Sequence, residues 1–373
     1  VHAATVETRY GAIADVGVKE FLVKDSKQHL RLSLPVGKDM KFGPATKQDP
    51  GRLAQEAIEL IRLRPEQVGY QNKPVWSQMG TELGTAQRIL TKQRDYFIKD
   101  TSSPETATKI LDEQITPNLL KLTDAIKIQD IKTTLDIQDQ VADQLVALRN
   151  LQIPPQKLPY NIPDEYSTLP RLAGRAQVEM RIDHKGGFRD MVDKSKVLNP
   201  QPIFIIEVDG YHAPITSGNF INYVQQNIYE NIPLTSEELT IQATVPSTAS
   251  NKIKNIQKIP LEIFFKSDQE PTYGITSDDD DRPNETMTLP FQAYGAIGMS
   301  RDNDDTDSAT TNIFFLKWQQ ALIPPGRNTI DGFYSCFGYV TENQDLLKQV
   351  TDGDKIVSMK VIKGLENLEI PSR

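Results

Sequence analysis

The chain has 373 residues, of which 38% are hydrophobic and 25% are charged, and its 42 basic and 50 acidic side chains give a net charge of −8. This balance argues against a nucleic-acid-binding protein, because binding to phosphates requires clustered Lys and Arg. No stretch approaches about 18 uninterrupted apolar residues, so no membrane-spanning helix is expected. The single cysteine, Cys336, excludes an internal disulfide framework and a multi-thiolate metal site.

The charge is unevenly placed along the chain. Residues 1–160 have 22 basic and 20 acidic side chains, a net charge of +2, whereas residues 161–373 have 20 and 30, a net charge of −10. Together with the length, this asymmetry favours two domains with different surfaces. The chain starts at Val1 rather than at a methionine, which a processed or trimmed N-terminus would explain.

The first part of the chain predicts helices. Residues 1–48 are expected to be irregular, with short strands at 21–23 and 30–34. From residue 49 to residue 152, apolar residues recur at helical spacing, which predicts a four-helix bundle. The first helix is predicted to start at Asp49-Pro50 and to end at Pro65, and the second to run from Pro74 to Phe97. A Ser102/Glu105 capping box starts the third helix, which Pro117 should kink, and the fourth starts at Asp130.

The second part predicts strands. A proline-rich linker at residues 153–175 comes first, with a density of prolines that favours an extended conformation. In residues 176–373 the period of the apolar residues falls to two, and a helix is expected to start at Ala213-Pro214. The predicted strands are 177–183, 203–208, 261–265, 293–299, 313–316, 337–340 and 355–362. The fold class expected is therefore α + β in two domains, a helical bundle followed by a closed antiparallel β-barrel.

No motif for a metal, a cofactor or a nucleophile is present, and none of these is expected. The four histidines are never spaced as zinc ligands, and the sequence has no nucleophile elbow, phosphate loop or dinucleotide fingerprint. The acidic runs at 278–281 and 302–307 suggest calcium, but a loop starting at Asp302 has Asp307 where glycine is needed and Ile313 where glutamate is needed. Solvated loop tips are the better interpretation.

Four segments of the barrel half resemble the cyclophilin family, in the same order along the chain. They are residues 213–220 (APITSGNF), 313–316 (IFFL), 331–340 (DGFYSCFGYV) and 354–356 (DKI). The resemblance implies a cyclophilin-type barrel and the peptidyl-prolyl isomerase activity of that family.

Three further segments resemble the large thylakoid-lumen cyclophilins, in which a helical bundle precedes the cyclophilin domain. They are residues 161–166 (NIPDEY), 174–176 (GRA) and 364–368 (GLENL). This branch implies a protein of the thylakoid lumen in a plastid, peripheral to the membrane and not inserted in it. It also implies that the partners are photosystem II lumenal subunits or assembly intermediates.

The residues that the family uses for catalysis have changed. Rotation about a prolyl bond has a barrier of about 18–20 kcal/mol, and cyclophilins lower it with an arginine directed at the twisting imide. In residues 232–244 (IPLTSEELTIQAT) the position of that arginine falls on Thr235 or Ser236, and no Arg or Lys lies between Asn219 and Asn251. The resemblance also places Thr329 at the family's tryptophan, Tyr334 at its histidine, and Ser300-Arg301 within its Met-Ala-Asn segment.

The remaining positions leave two interpretations open. Phe315 and Ile330 either form the apolar floor of a retained peptide groove, in which Gln242 also survives, or belong to the barrel core. Arg301 is a further candidate for the missing cation. The sequence therefore predicts a degenerate, non-catalytic cyclophilin that acts as a scaffold, assembly factor or bound subunit of photosystem II. The alternatives are an active isomerase and a lumenal protein without a photosystem partner, whose bundle covers its own barrel.

Overall fold

The computed structural model describes residues 23–69, 73–246, 256–317 and 330–371. Within these ranges the chain divides into two compact units. One contains Val23 and Arg31–Pro154, and the other contains Lys24–Leu30 and the chain from Pro155 onward. The first unit is helical and the second contains a β-barrel.

The strand predicted at residues 30–34 is wrong, because the structure has a helix, α1, at Ser26–Ser33. Leu30 and Leu34 are buried, but so is Arg31, whose Nη2 lies 2.6 Å from Asp139 Oδ1 and 2.8 Å from Asp143 Oδ1. The polar member of the alternation is therefore buried in ion pairs rather than facing water, and the period of two did not indicate a strand. The strand predicted at 21–23 lies outside the described residues, except for Val23, which is not in a strand.

The helical unit contains every helical stretch that the periodicity predicts. Its elements are α2 (Pro50–Val68), α3 (Lys73–Lys92), α4 (Arg94–Lys99), α5 (Pro104–Lys109), a π-helical turn (Ile110–Ile115), α6 (Thr116–Ile128) and α7 (Ile131–Asn150). α2 and α6 each pack against both α3 and α7 around one apolar core. The antiparallel order of a four-helix bundle stays a prediction.

Three helix limits differ from the prediction. The second helix does not run on to Phe97, because α3 ends at Lys92 and α4 begins after Gln93. Pro65 does not end α2, which continues to Val68 and stops at Gly69, where φ is 84°. Pro65 removes its own hydrogen bond and its ring opposes the carbonyl of Ile61, yet the helix continues for three residues beyond it. Ser103 rather than Ser102 caps the third stretch by accepting a hydrogen bond from Thr106 N, and the π-helical turn that directly precedes α6 accommodates Pro117.

The second unit is built on a closed barrel of eight antiparallel strands. The strands of this unit, four of which lie outside the barrel, are β1 (Arg171–Leu172), β2 (Arg175–Asp183), β3 (Phe204–Asp209), β4 (Ile232–Ser236), β5 (Thr240–Ala243), β6 (Glu262–Ile263), β7 (Thr272–Tyr273), β8 (Ala296–Met299), β9 (Ile313–Leu316), β10 (Cys336–Glu342), β11 (Lys355–Lys363) and β12 (Leu368–Glu369). The order around the barrel is β10-β3-β2-β11-β4-β5-β9-β8, and β1 with β12 and β6 with β7 form two small sheets. The predicted α + β class with an antiparallel barrel of cyclophilin type is confirmed.

The helix α8 (Pro214–Gln225) follows β3 and packs against β1 and β11. The barrel interior is filled by the inward side chains of the strands and by the apolar face of this helix. No helix in the described part of the chain is long and apolar enough to cross a bilayer.

Candidate functional site

The strand β9 places two phenylalanines on opposite faces of the barrel. Successive side chains of a strand point to opposite faces, so Phe315 points inward and Phe314 points outward. Phe315 is fully buried in the barrel core, in register with Ile241 of β5 and Ile297 of β8. Of the two interpretations of Phe315, the structure favours the barrel core over the groove floor.

The outer face at this point has Phe314 as its floor. Gln242 of β5 and Gly298 of β8 are its partners in register on either side. The sequence comparison missed Phe314 because a shift of one residue along a strand exchanges the two faces.

Phe314 is covered by two other aromatic rings. The ring of Phe291 stacks on it with the centroids 5.5 Å apart and an interplanar angle of 21°, and Tyr334 makes an edge contact at 5.5 Å. A Cβ at position 298 would clash with both phenylalanines, so only glycine leaves room for them there. As a result, Phe314 is only 4% exposed although it lies outside the barrel.

Asp331 and Tyr339 hold the segment that contains Phe291. Phe291 N donates a hydrogen bond of 2.7 Å to Asp331 Oδ1, and Asp331 is buried. Tyr339 Oη donates to the carbonyl oxygen of Pro290 at 2.8 Å. The Asp-Gly pair that carries part of the family resemblance therefore fixes the ring that covers Phe314.

The polar residues predicted for the site lie beside this aromatic cluster. Ser300 Oγ donates to Gln242 Oε1 at 3.3 Å, and Gln242 Nε2 donates to Thr240 Oγ1 at 3.1 Å. Both ends of the Gln242 amide thus have partners within the protein, and Gln242 and Ser300 are brought together as the sequence predicts.

The two residues that the resemblance places at the family's arginine lie on different faces of β4. Thr235 lies directly opposite Gln242 in the β4–β5 pair, with its side chain on the outer face. Ser236 points the other way, where its Oγ accepts a hydrogen bond of 2.9 Å from Lys317 Nζ. Burial lowers the pKa of Lys317. Of the two alternatives, Thr235 shares the outer face with Gln242, whereas Ser236 does not.

Arg301 is bound to the loops around it. Its Nε donates to the carbonyl oxygen of Phe333 at 2.8 Å, and its Nη1 donates to those of Asp302 at 2.8 Å and Asn303 at 3.1 Å. Its guanidinium carbon lies 5.3 Å from the ring centroid of Tyr334. These contacts tie Arg301 to the turn after Ile330 rather than to Gln242.

One further predicted residue, Ile330, begins that turn. The carbonyl oxygen of Ile330, a half-buried residue, accepts hydrogen bonds from Phe333 N and Tyr334 N. Thr329 lies outside the described residues.

Behind the aromatic cluster is a small cavity of about 10 Å³, which is the room that one water molecule needs. Phe291, Tyr334, Cys336 and Glu262 are among its lining residues. Glu262 is buried and accepts hydrogen bonds from Ile215 N at 3.2 Å and Thr216 N at 2.9 Å, in the first turn of α8. Burial raises the pKa of Glu262 to about 7 and raises that of the Cys336 thiol.

The sequence analysis missed Glu262, although a single charge within the apolar run 261–265 is a signal of a buried carboxylate. In the described ranges no group of three His, Cys, Asp or Glu side chains is placed to hold a metal ion.

Comparison with known proteins identifies the family. Residues 199–366 match the model described as cyclophilin type peptidyl-prolyl cis-trans isomerase. A relative from Synechocystis, named as a putative thylakoid lumen peptidyl-prolyl cis-trans isomerase, is 31% identical over 90% of this chain and 89% of its own length. Two chloroplastic isomerases of Arabidopsis thaliana are also similar. CYP38 is 34% identical over 57% of this chain and 48% of its own, and CYP37 is 28% identical over 85% and 69%.

These names agree with the compartment that the sequence analysis predicts, so the thylakoid-lumen localisation is confirmed. The identity to the Synechocystis relative extends through both the helical and the barrel units. The chain belongs to the cyclophilin-type peptidyl-prolyl cis-trans isomerases.

Proposed function

We propose that this chain is a non-catalytic cyclophilin of the thylakoid lumen that acts as a scaffold, an assembly factor or a bound subunit of photosystem II. The observation that carries the proposal is the outer face of β5, β8 and β9. Thr235 stands where the family has its arginine, and Phe291 and Tyr334 cover the ring of Phe314.

The loss of catalysis follows from what a prolyl isomerase requires. It needs an apolar pocket for the proline ring and a donor or cation that stabilises the twisted imide. Here the apolar ring at the centre of the face is 4% exposed, and the amide of Gln242 accepts from Ser300 Oγ and donates to Thr240 Oγ1. A peptide that lies across this face would find neither the pocket nor the cation.

A coupled peptide-isomerisation assay on the full chain tests this proposal, with an ordinary cyclophilin as the positive control. We expect a rate less than about one tenth of the control, since tenfold corresponds to about 1.4 kcal/mol of barrier. A rate within tenfold of the control would overturn the proposal in favour of an active isomerase, the alternative that the names of the relatives support.

A gain of function gives the sharper test. The double variant Thr235→Arg with Phe291→Ala supplies the cation opposite Gln242 and uncovers Phe314, so its rate should rise above that of the parent chain. Ser236→Arg with Phe291→Ala is the matched control, because it adds the same charge one residue along, where the side chain leaves the outer face. An equal rise in both variants would mean that the position of the cation does not matter.

The photosystem partner rests on the resemblance and on the charge distribution. The near-neutral first half and the acidic second half offer two different docking surfaces. Tagged full-length protein, added to detergent-solubilised thylakoids, should recover photosystem II lumenal subunits or assembly intermediates, whereas a tagged unrelated lumenal protein of similar charge should not. Recovery of no photosystem subunit would instead favour the lumenal protein without a photosystem partner.

A further inference from the structure

The loop between β2 and β3 presents an apolar tip to solvent. Val192 is 95% exposed, and Met191 and Val197 beside it are 37% and 42% exposed. Such exposure at three apolar side chains of one short loop is a feature of interaction sites rather than of ordinary surface.

The loop is held in one conformation. Asp190 Oδ1 accepts hydrogen bonds from Val192 N and Asp193 N, both at 2.8 Å, which forms the turn at the tip. At the base, Gln349 bonds to both Arg189 N and Arg189 O at 2.8 Å, and Phe188 is buried in the barrel core. The tip is therefore pre-organised, and contact with a partner would not require ordering of the loop.

The charge around the tip is positive, although the half of the chain that contains it is acidic. Residues 189–197 include three basic and two acidic side chains, a net charge of +1, against −10 for residues 161–373. Both acids are used within the loop, Asp190 as described and Asp193 by accepting from Ser195 N at 3.1 Å. Lys194 and Lys196 are exposed and form no ion pair with any part of the chain that the structure describes.

We propose that this loop, the basic apolar tip (residues 189–197), docks the protein on an anionic lipid bilayer, with Val192 and Met191 entering the interface and the lysines contacting the headgroups. The charge is complementary to anionic lipid, and lysine contributes to such binding within a Debye length of the surface. A stable protein–protein interface takes about 20–30 residues a side. The tip is a convex hairpin of nine residues, which is too small for such an interface but sufficient for shallow insertion.

Vesicle binding by the full-length protein tests the proposal. We expect binding to vesicles that contain phosphatidylglycerol, weaker binding to pure phosphatidylcholine, and a decrease with salt. Val192→Asp should lower the affinity about tenfold or more by removing the inserted apolar group, and Lys194→Glu with Lys196→Glu should abolish the preference for phosphatidylglycerol. Ile128→Asp is the matched control, because Ile128 is 73% exposed on the helical unit and is not part of the tip.

Three results would overturn the proposal. The first is no binding to phosphatidylglycerol vesicles at low ionic strength, and the second is equal binding by the Val192→Asp and Ile128→Asp variants. The third is binding to thylakoid membranes that protease treatment of the membranes abolishes, which would indicate a protein partner. Val192→Trp distinguishes insertion from adsorption, since its fluorescence emission should shift to shorter wavelength on vesicles. Because Val192 has few contacts, we expect these variants to keep the parent's Tm.

Discussion

The two faces of strand β9 carry the same residue type and are buried to nearly the same extent by different means. On the inner face, Phe315 is 0% exposed within the core that every barrel of this topology must have. On the outer face, Phe314 is 4% exposed because Phe291 and Tyr334 cover it. The first burial is required by the barrel, whereas the second is an addition specific to this outer face.

Under the proposed function, the outer face keeps the fold of a catalytic face and has lost access to it. Gln242, Phe314 and the turn after Ile330 lie on or beside this one face. On that proposal, the ring of Phe291 closes the space above Phe314, and Thr235 supplies no cation opposite Gln242. The barrel itself is complete.

The largest effect is expected from Phe315→Ala. Removal of a fully buried ring should lower the free energy of unfolding by about 3–5 kcal/mol, from lost burial and from the cavity left in the core. Denaturant unfolding followed by far-UV circular dichroism measures the change, and Phe315→Leu, which keeps most of the volume, should cost less. A loss below about 1 kcal/mol for Phe315→Ala would mean that this face is not the core.

Phe314→Ala is the decisive variant for the outer face. If the aromatic cover is packed as a second layer, the free energy of unfolding should fall by about 2–4 kcal/mol. An open groove floor would lose little, as should Ile362→Ala, an exposed side chain on β11 that serves as the control. Near-equality of the Phe314→Ala and Ile362→Ala variants would break the comparison and favour an accessible groove.

The pH dependence of stability tests whether the aromatic rings over Phe314 exclude water from Glu262. Burial raises the pKa of Glu262 to about 7, above its ordinary value of 4.5, so the folded state holds the proton in a range where the unfolded state does not. Stability should therefore rise as the pH falls from 7 to 5 and should fall as the pH rises through 7. The expected change across that range is about 2–3 kcal/mol at most.

Chemical denaturation at pH 5, 6 and 7 measures this change. Glu262→Gln is the control because it carries no titrating group. Its amide oxygen can replace only one of the two carboxylate oxygens that accept from Ile215 N and Thr216 N, so the variant should be less stable than the parent, and only the pH dependence of the two is compared. The difference between the parent chain and this variant isolates Glu262 from the histidines. If the free energy of unfolding changes equally with pH in the parent chain and in the variant, water reaches the Glu262 carboxylate and the aromatic rings of Phe291 and Tyr334 do not seal it.

The fold was more predictable from the sequence than the site was. Local patterns sufficed for the helices capped by Asp49 and Asp130 and for strands such as β2 and β9, because each depends on residues close in the chain. The face of a strand depends on the register with its neighbours. A comparison of short motifs does not determine it to one residue. The motif points to Phe315, for which both a core and a groove position are open, whereas Phe314 is the residue that shares the outer face with Gln242.

The cover over Phe314 depends on distant parts of the chain. Phe291 reaches β9 through a hydrogen bond to Asp331, 40 residues away, and no local pattern indicates that contact. Gly298 is a signal in the sequence that the outer face of β8 is covered. A glycine inside a buried strand indicates that another group approaches closely, and here that group is the pair of aromatic rings.

The smallest effect is expected at the edge of the outer face, from Ser300→Ala. The variant removes one partly buried hydrogen bond to Gln242 Oε1, which should cost at most about 1 kcal/mol and leave Phe314 covered. It should also leave the isomerisation rate unchanged, because in a covered face Gln242 has no substrate to orient. A rate that rises or falls several-fold, with stability unchanged, would show that Gln242 contacts the peptide and that the outer face is still a working groove.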